Sequence, residues 1–239
     1  MIDEKSNTKF WKYPLFFVLL IWLVYWVEVT FGFNFAHFGI RPLKFTGLKG
    51  ILFSPWIHSG IEHLYHNTIP LFVLSSALAF FYRDHFWKVI IVGILGTGII
   101  TWLIGRPSFH IGASGLIYVL ASFLFFKGII AFHFRLIAIS LSVVFYYGSM
   151  IWYLFPVEDG VSWEGHLSGA IIGVLLAFFV QIKVDKSPKY EWQKDDFDEN
   201  SDLFMSHFDE NGKFIPNRFD QIIEDNIIYE YHYKPTEEE

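Results

Sequence analysis

One serine and several histidines stand at three separate places in a strongly apolar chain. In "HIGASGLIYVL", residues 110–120, Ser114 lies between Gly112 and Gly115. In "SGIEHLYHNTIP", residues 59–70, His63 and Asn67 are spaced i, i+4 and share one face of a helix. In "SWEGHLSGAIIG", residues 162–173, His166 is followed by Gly169 and Gly173. A serine hydroxyl is a weak nucleophile until a neighbouring imidazole takes its proton. His166 is the candidate base, able to return that proton to a leaving amine. Backbone N–H groups at a helix start, with the Asn67 amide and His63 imidazole, form a candidate oxyanion site. Gly112 allows a backbone to approach the reacting centre without a Cβ clash. Tyr118 follows Ser114 by one turn on the same face, where its ring can pack on His166.

Each feature also has a plainer reading. Gly112, Ser114 and Gly115 make a small-residue surface suited to helix packing, as do Gly93, Gly96 and Gly98. Gly169 and Gly173 form a GxxxG pair, read as packing the sixth helix closely on the fourth. His66 and His110 read as solvated or structurally hydrogen-bonded, and His58 as a polar residue just outside the second helix. Glu164 reads as an interfacial charge, so a Ser–His dyad without an acidic third member is the economical arrangement. The spacing of Ser59 and Glu62 suggests a capping box that starts the second helix.

The elements that must position these residues are membrane helices. The 239 residues are 53% hydrophobic and 21% aromatic, with mean hydropathy +0.37. A water-soluble domain rarely carries so much apolar surface. Six charge-free windows account for it: 13–27, extendable past Glu28 to about Phe31, then 64–82, 89–105, 107–126, 136–157 and 165–182. Most approach the roughly 20 residues needed to cross a bilayer. The first window is read as a retained span rather than a cleaved signal. Trp11, Tyr13, Trp26, Trp87, Trp152 and Trp163 lie near window ends, as interfacial aromatics do. The fold class is therefore an all-α membrane protein, a six-transmembrane-helix bundle with a long first extramembrane loop, 32–57, that folds against the interface.

Near the span ends, ten Lys and Arg fall on one side (Lys5, Lys9, Lys12, Arg83, Lys88, Lys127, Arg135, Lys183, Lys186, Lys189) and four on the other (Arg41, Lys44, Lys49, Arg106). That bias places both termini in the cytoplasm. The second, fourth and sixth helices then all run inward from the outer face, and His63, Ser114 and His166 meet at similar depth near their outer ends. The expected organisation is a cytoplasmic N-terminus (1–12), a six-helix domain (13–184) and an acidic, partly disordered cytoplasmic tail (185–239). The tail holds 16 acidic and 6 basic residues, which argues against nucleic acid as a partner and leaves its own partner unknown. Its "DENGK" is turn chemistry rather than a calcium loop. The absence of cysteine excludes disulfides, a thiolate nucleophile and zinc–thiolate chemistry.

On these residues the chain resembles the rhomboid family of intramembrane serine proteases over about residues 13–184. The GxSG motif stands as Gly112-Ala113-Ser114-Gly115 with Tyr118 following. HxxxN stands as His63 to Asn67, with His58 before it, and the histidine motif as "GHLSGAIIG". The resemblance implies a catalytic dyad of Ser114 and His166, and an oxyanion site of His63, Asn67 and the Ser114 N–H. It implies peptide-bond hydrolysis in transmembrane proteins near the outer membrane face, with no metal and no cofactor. Substrates would enter sideways near the fifth helix, around 145–155, beneath a cap formed by 155–163. Gly165 stands where the family often has alanine, and "GIRPLKFTGLKG" replaces a Trp-Arg pair common in the first loop. Membrane lipid is the surrounding partner, and a bacterial plasma membrane the expected location. The main rival is a non-catalytic relative that binds transmembrane clients; such relatives usually lack the serine or histidine, and both are present here. A transporter or channel would call for mid-depth charges and internal repeats, and the windows carry neither.

Overall fold

The computed structural model describes residues 10–182 and, in the tail, residues 190, 194, 197, 198, 204, 207–209 and 211–215. Helices dominate because lipid leaves backbone N–H and C=O groups no partner outside the segment. They are α1 (Lys12–Phe31), a four-residue α2 (Gly50–Phe53), α3 (Ile61–Phe81), α4 (Phe86–Ile104), α5 (Ser114–Ile130), α6 (Phe134–Tyr147) and α7 (Trp163–Phe179). Among the described residues there is no strand beyond the isolated bridges Ile40–His110 and Phe208–Phe214. The stretches Lys12–Phe31, Ile61–Phe81, Arg83–Ile104 and Phe134–Leu154 are each long and apolar enough to cross a membrane. Helices α5 and α7 are apolar but have 17 residues each. At about 1.5 Å per residue each falls short of a roughly 30 Å hydrocarbon core.

The core is built around α5. Leu116 to Leu120, Phe123 and Leu124 are all buried, and α5 packs against α3, α4, α6 and α7. Its seam with α7 is made by glycine. A Cβ on Gly169 would collide with the Gly115 carbonyl, and one on Gly173 with the Val119 carbonyl. The backbones therefore touch, as the GxxxG reading expects. On α4, Gly93 receives the Val119 side chain and Gly96 the Ile172 side chain, bringing α4 onto both helices. Helix α1 packs on α3, where the Trp22 indole donates to Thr68 Oγ1 at 3.0 Å. Its outer face presents Phe16, Leu19, Leu23 and Trp26.

Two local readings of the sequence need correction. The fourth apolar window begins at Pro107, but its helix begins at Ser114 and runs to Ile130. Residues before it are held against the first loop instead: His110 exchanges backbone hydrogen bonds with Ile40 at 2.9 and 3.0 Å, and the Gly112 N–H donates to the Ser54 carbonyl at 2.9 Å. Hydropathy does not register such pairing. The capping box at α3 is absent, since Gly60 occupies the cap position without a side-chain bond. Lys127, counted near the end of its span, stands there in the structure. It is buried in the last turn of α5 and donates from Nζ to the Ala177 carbonyl of α7 at 3.0 Å.

Residues 1–184 and 185–239 form two compact units. In the second, Asp209 Oδ1 accepts the N–H groups of Asn211 and Lys213 at 2.9 and 2.8 Å, closing a turn with Gly212 at φ 74°. The expectation of a partly disordered tail falls largely outside the described residues.

Candidate functional site

Three helix beginnings converge. Ser114 is the first residue of α5, His166 the fourth of α7, and His63 the third of α3. The glycine seam sets how closely α7 approaches α5, and it leaves His166 Nε2 2.9 Å from Ser114 Oγ. The other ring nitrogen, Nδ1, lies 2.9 Å from the Tyr153 carbonyl. A carbonyl only accepts, so in the neutral ring Nδ1 carries the proton and Nε2 is left to accept from the serine. Tyr118 stacks on the imidazole with ring centroids 4.4 Å apart and planes 16° apart. Its hydroxyl donates to the Met150 carbonyl at 2.6 Å. His166 is thus held by a ring on α5 and a carbonyl in the turn after α6.

On the opposite side of Ser114, Gly112 has φ 108°, a conformation that favours glycine. A Cβ there would lie 2.7 Å from both Cε1 and Nε2 of His63 and 3.6 Å from Asn67 Nδ2. His63 and Asn67 therefore face the backbone just ahead of the serine. Asn67 is buried and gives one Nδ2 hydrogen to the His63 carbonyl at 3.1 Å. His63 Nδ1 lies 3.1 Å from Ser59 Oγ. The i−4 spacing that places Ser59 over His63 is visible in the sequence, although it reads there as part of a cap.

His58 is 2% exposed, and neither ring nitrogen has a hydrogen-bond partner among the described residues. Its ring meets that of His63 edge-on at 5.0 Å. Burial, reinforced by His63, pushes its imidazole down to about 3. It is a neutral ring packed behind His63.

Glu164 departs from the sequence reading as an interfacial charge. It is 2% exposed; Oε1 accepts the Arg106 backbone N–H at 3.1 Å and stands 3.6 Å from Arg106 Nε. An isolated carboxylate this deep would be costly, and Arg106 supplies its counter-charge. Arg106 also donates to the Val161 carbonyl. His110 is buried, with Nδ1 2.6 Å from Ser162 Oγ and Nε2 3.0 Å from the Arg106 carbonyl. Beside Ser114 a cavity is lined by Thr97, Thr101, His110, Gly112, Ser162 and Gly165. The buried hydroxyls of Thr97 and Thr101 have no hydrogen-bond partner among the described residues. No three of His, Asp and Glu come together as a metal-ligand set among the described residues.

The Rhomboid domain family matches residues 46–183 of this chain. Uncharacterized proteins of Mycobacterium tuberculosis and Mycobacterium bovis are each 42% identical over 176 residues, covering 70% of this chain and 73% of the relative. An uncharacterized protein of Mycobacterium leprae is 39% identical over 176 residues, covering 70% of this chain and 69% of its own length.

Proposed function

The chain belongs to the rhomboid family of multi-pass helical membrane proteins, and on that premise we propose that it is an intramembrane serine endopeptidase acting through a Ser114–His166 dyad. The 2.9 Å contact between His166 Nε2 and Ser114 Oγ, with Nδ1 committed to a carbonyl, carries this reading. Ser114 Oγ attacks the scissile carbonyl as His166 Nε2 takes its proton. The oxyanion then accepts hydrogen bonds from the Ser114 N–H, the second Nδ2 hydrogen of Asn67 and His63 Nε2–H. In the neutral ring, His63 donates from Nε2 when Nδ1 is the acceptor, an arrangement the Ser59 hydroxyl supports by donating to Nδ1. The C–N bond breaks as His166 returns its proton to the leaving amine, leaving an acyl-serine. Water, deprotonated by His166, hydrolyses that ester. The cavity beside Ser114, with the free hydroxyls of Thr97 and Thr101, suits such a water.

Depth supports a membrane substrate. Helix α5 is only about 25 Å long, so if its inner end reaches the inner face of a roughly 30 Å core, the serine at its first residue lies below the outer edge. In the proposed topology the six apolar helices all cross, both termini are cytoplasmic, and the site opens outward. The substrates are transmembrane proteins that approach past α6, whose exposed Phe145 and Tyr146 face the lipid.

The test is labelling of the solubilised protein by a fluorophosphonate, together with cleavage of a transmembrane substrate in proteoliposomes. Wild type should label and cleave. Ser114→Ala and His166→Ala should each lose about ten-thousandfold or more in turnover while remaining folded. Labelling that survives in Ser114→Ala would remove the nucleophile. A folded wild type that neither labels nor cleaves would favour a client-binding protein.

A further inference from the structure

The two reacting side chains come from segments 52 residues apart, and a second set of polar contacts joins those segments away from the reacting atoms. His110 Nε2 is 3.0 Å from the Arg106 carbonyl, so in the neutral ring it donates there and Nδ1 accepts. Its partner at Nδ1 is Ser162 Oγ, which must therefore donate its proton. The Ser162 oxygen in turn accepts the Gly165 N–H at 3.3 Å and caps α7. One directed chain runs from Gly165 N–H through Ser162 and His110 to the Arg106 carbonyl. A parallel link joins Glu164 Oε1 to the Arg106 N–H and guanidinium. Gly165 immediately precedes the base, and His110 stands four residues before the nucleophile.

From this arrangement we infer that Ser162, His110, Glu164 and Arg106 form a clasp that sets the register of His166 against Ser114. The inference rests on the proposed dyad; His110 and Ser162 line the cavity beside Ser114, but among the described residues none of the four hydrogen-bonds to Ser114 Oγ. They are positioning residues. Without the clasp, the glycine seam still docks α7 on α5, but the first turn of α7 loses its ties to the 105–113 segment. Misplacing a base by about 1 Å costs on the order of a hundredfold in rate. Two features argue against a merely solvated surface charge pair. Glu164 is 2% exposed where most interfacial carboxylates are wet, and its contact to the Arg106 backbone N–H fixes main chain rather than a flexible side chain. The hydrogen bonds of His110 and Ser162 also pair donors with acceptors along the whole chain, leaving no reversed link.

The experiment compares Ser162→Ala, Ser162→Thr, Glu164→Ala and Glu164→Gln with wild type in proteoliposomes, measuring kcat and KM separately alongside thermal stability. Lys127→Met, at the other end of the same helix pair, serves as a destabilised control outside the site. The expected result is a roughly ten- to hundredfold fall in kcat for both alanine variants with KM unchanged. Ser162→Thr, which keeps the hydroxyl, should recover most of the rate. Glu164→Gln, which keeps an acceptor for the Arg106 N–H, should recover part. Ring 15N resonances of histidine-labelled protein supply a readout independent of turnover: Ser162→Ala should shift the His166 Nε2 signal, and Lys127→Met should not. A moved His166 signal in an inactive wild type would sink the protease reading and keep the clasp. An active wild type with unmoved His166 resonance and unchanged kcat in the alanine variants would overturn the clasp. So would kcat losses that follow thermal stability alone, matched by Lys127→Met.

Discussion

Helices α5 and α6 are neighbours in the chain, three residues apart, yet they occupy opposite surroundings. Along α5, Leu116 to Leu120, Phe123 and Leu124 are all sealed from the exterior. Along α6 only Leu136, Ser140 and Val143 are buried, while Phe145 is 81% exposed. Both helices are apolar. In lipid an apolar side chain gains little by leaving hydrocarbon for protein, so hydropathy does not distinguish a central helix from a peripheral one. The extent of close backbone approach does. Helix α5 meets α7 through two glycines a turn apart, Gly169 and Gly173, whereas it meets α6 at one place, where Gly128 lies against the Leu136 carbonyl and Ser140 Oγ donates to the Phe125 carbonyl at 2.8 Å. The candidate site stands on the packed trio α3, α5 and α7, and the helix beside it is the loosely covered one. A site that needs sub-ångström geometry and lateral access benefits from that division.

The sharpest way to break the contrast is to place volume in the seam. Gly169→Leu forces a side chain into the Gly115 carbonyl; the expected cost is about 3 kcal/mol or more of stability with loss of activity, read by thermal unfolding in detergent. A retained melting temperature would show that the seam is not tight. Asn67→Ala tests the reacting centre on the packed side. Loss of one oxyanion donor should lower kcat about a hundred- to a thousandfold, with stability nearly unchanged, and an unaltered kcat would take Asn67 out of the site.

His58 offers a probe of burial on the same side. Its folded value of about 3 lies below its ordinary 6.5, so the unfolded chain binds the proton more readily between those values. The neutral buried ring therefore contributes stability above pH 6.5 that is progressively lost as pH falls toward 3, on the order of a few kcal/mol. Melting temperatures measured from pH 7.5 to 4.5 should decline, and His58→Leu should flatten that decline; parallel slopes for the two proteins would contradict it. The smallest effect belongs to α6. Phe145→Ala removes a ring that faces outward, so stability should change by less than about 0.5 kcal/mol. A larger loss would mean that α6 is packed more firmly than its exposure indicates.

Much of this was legible in the chain before folding. Lipid forces apolar segments into helices, so the all-helical class follows from hydropathy, and so does the extent of a helix such as α1, expected to reach Phe31 and ending there. Small residues at fourfold spacing announced the α5–α7 contact, since only a missing side chain lets backbones touch. The three polar motifs announced which residue types were available for chemistry. The position of a helix start was less legible: the apolar run from Pro107 conceals an extended segment pinned to Ile40 and Ser54, partners more than fifty residues away.

What tertiary structure alone decided lies in contacts between distant segments. Glu164 reads as a surface charge because a carboxylate is usually solvated, and only the approach of Arg106 from 58 residues away makes its burial tolerable. Ser59 reads as a cap until His63 turns its Nδ1 toward it. The tautomer of His166 depends on the Tyr153 carbonyl, a backbone atom whose placement no residue type encodes. Local sequence determines period, polarity and volume, and these select helices and their packing faces. Proton direction, ring orientation and the neutralisation of a buried charge depend on where remote backbone and side-chain atoms come to rest, which the packed bundle decides.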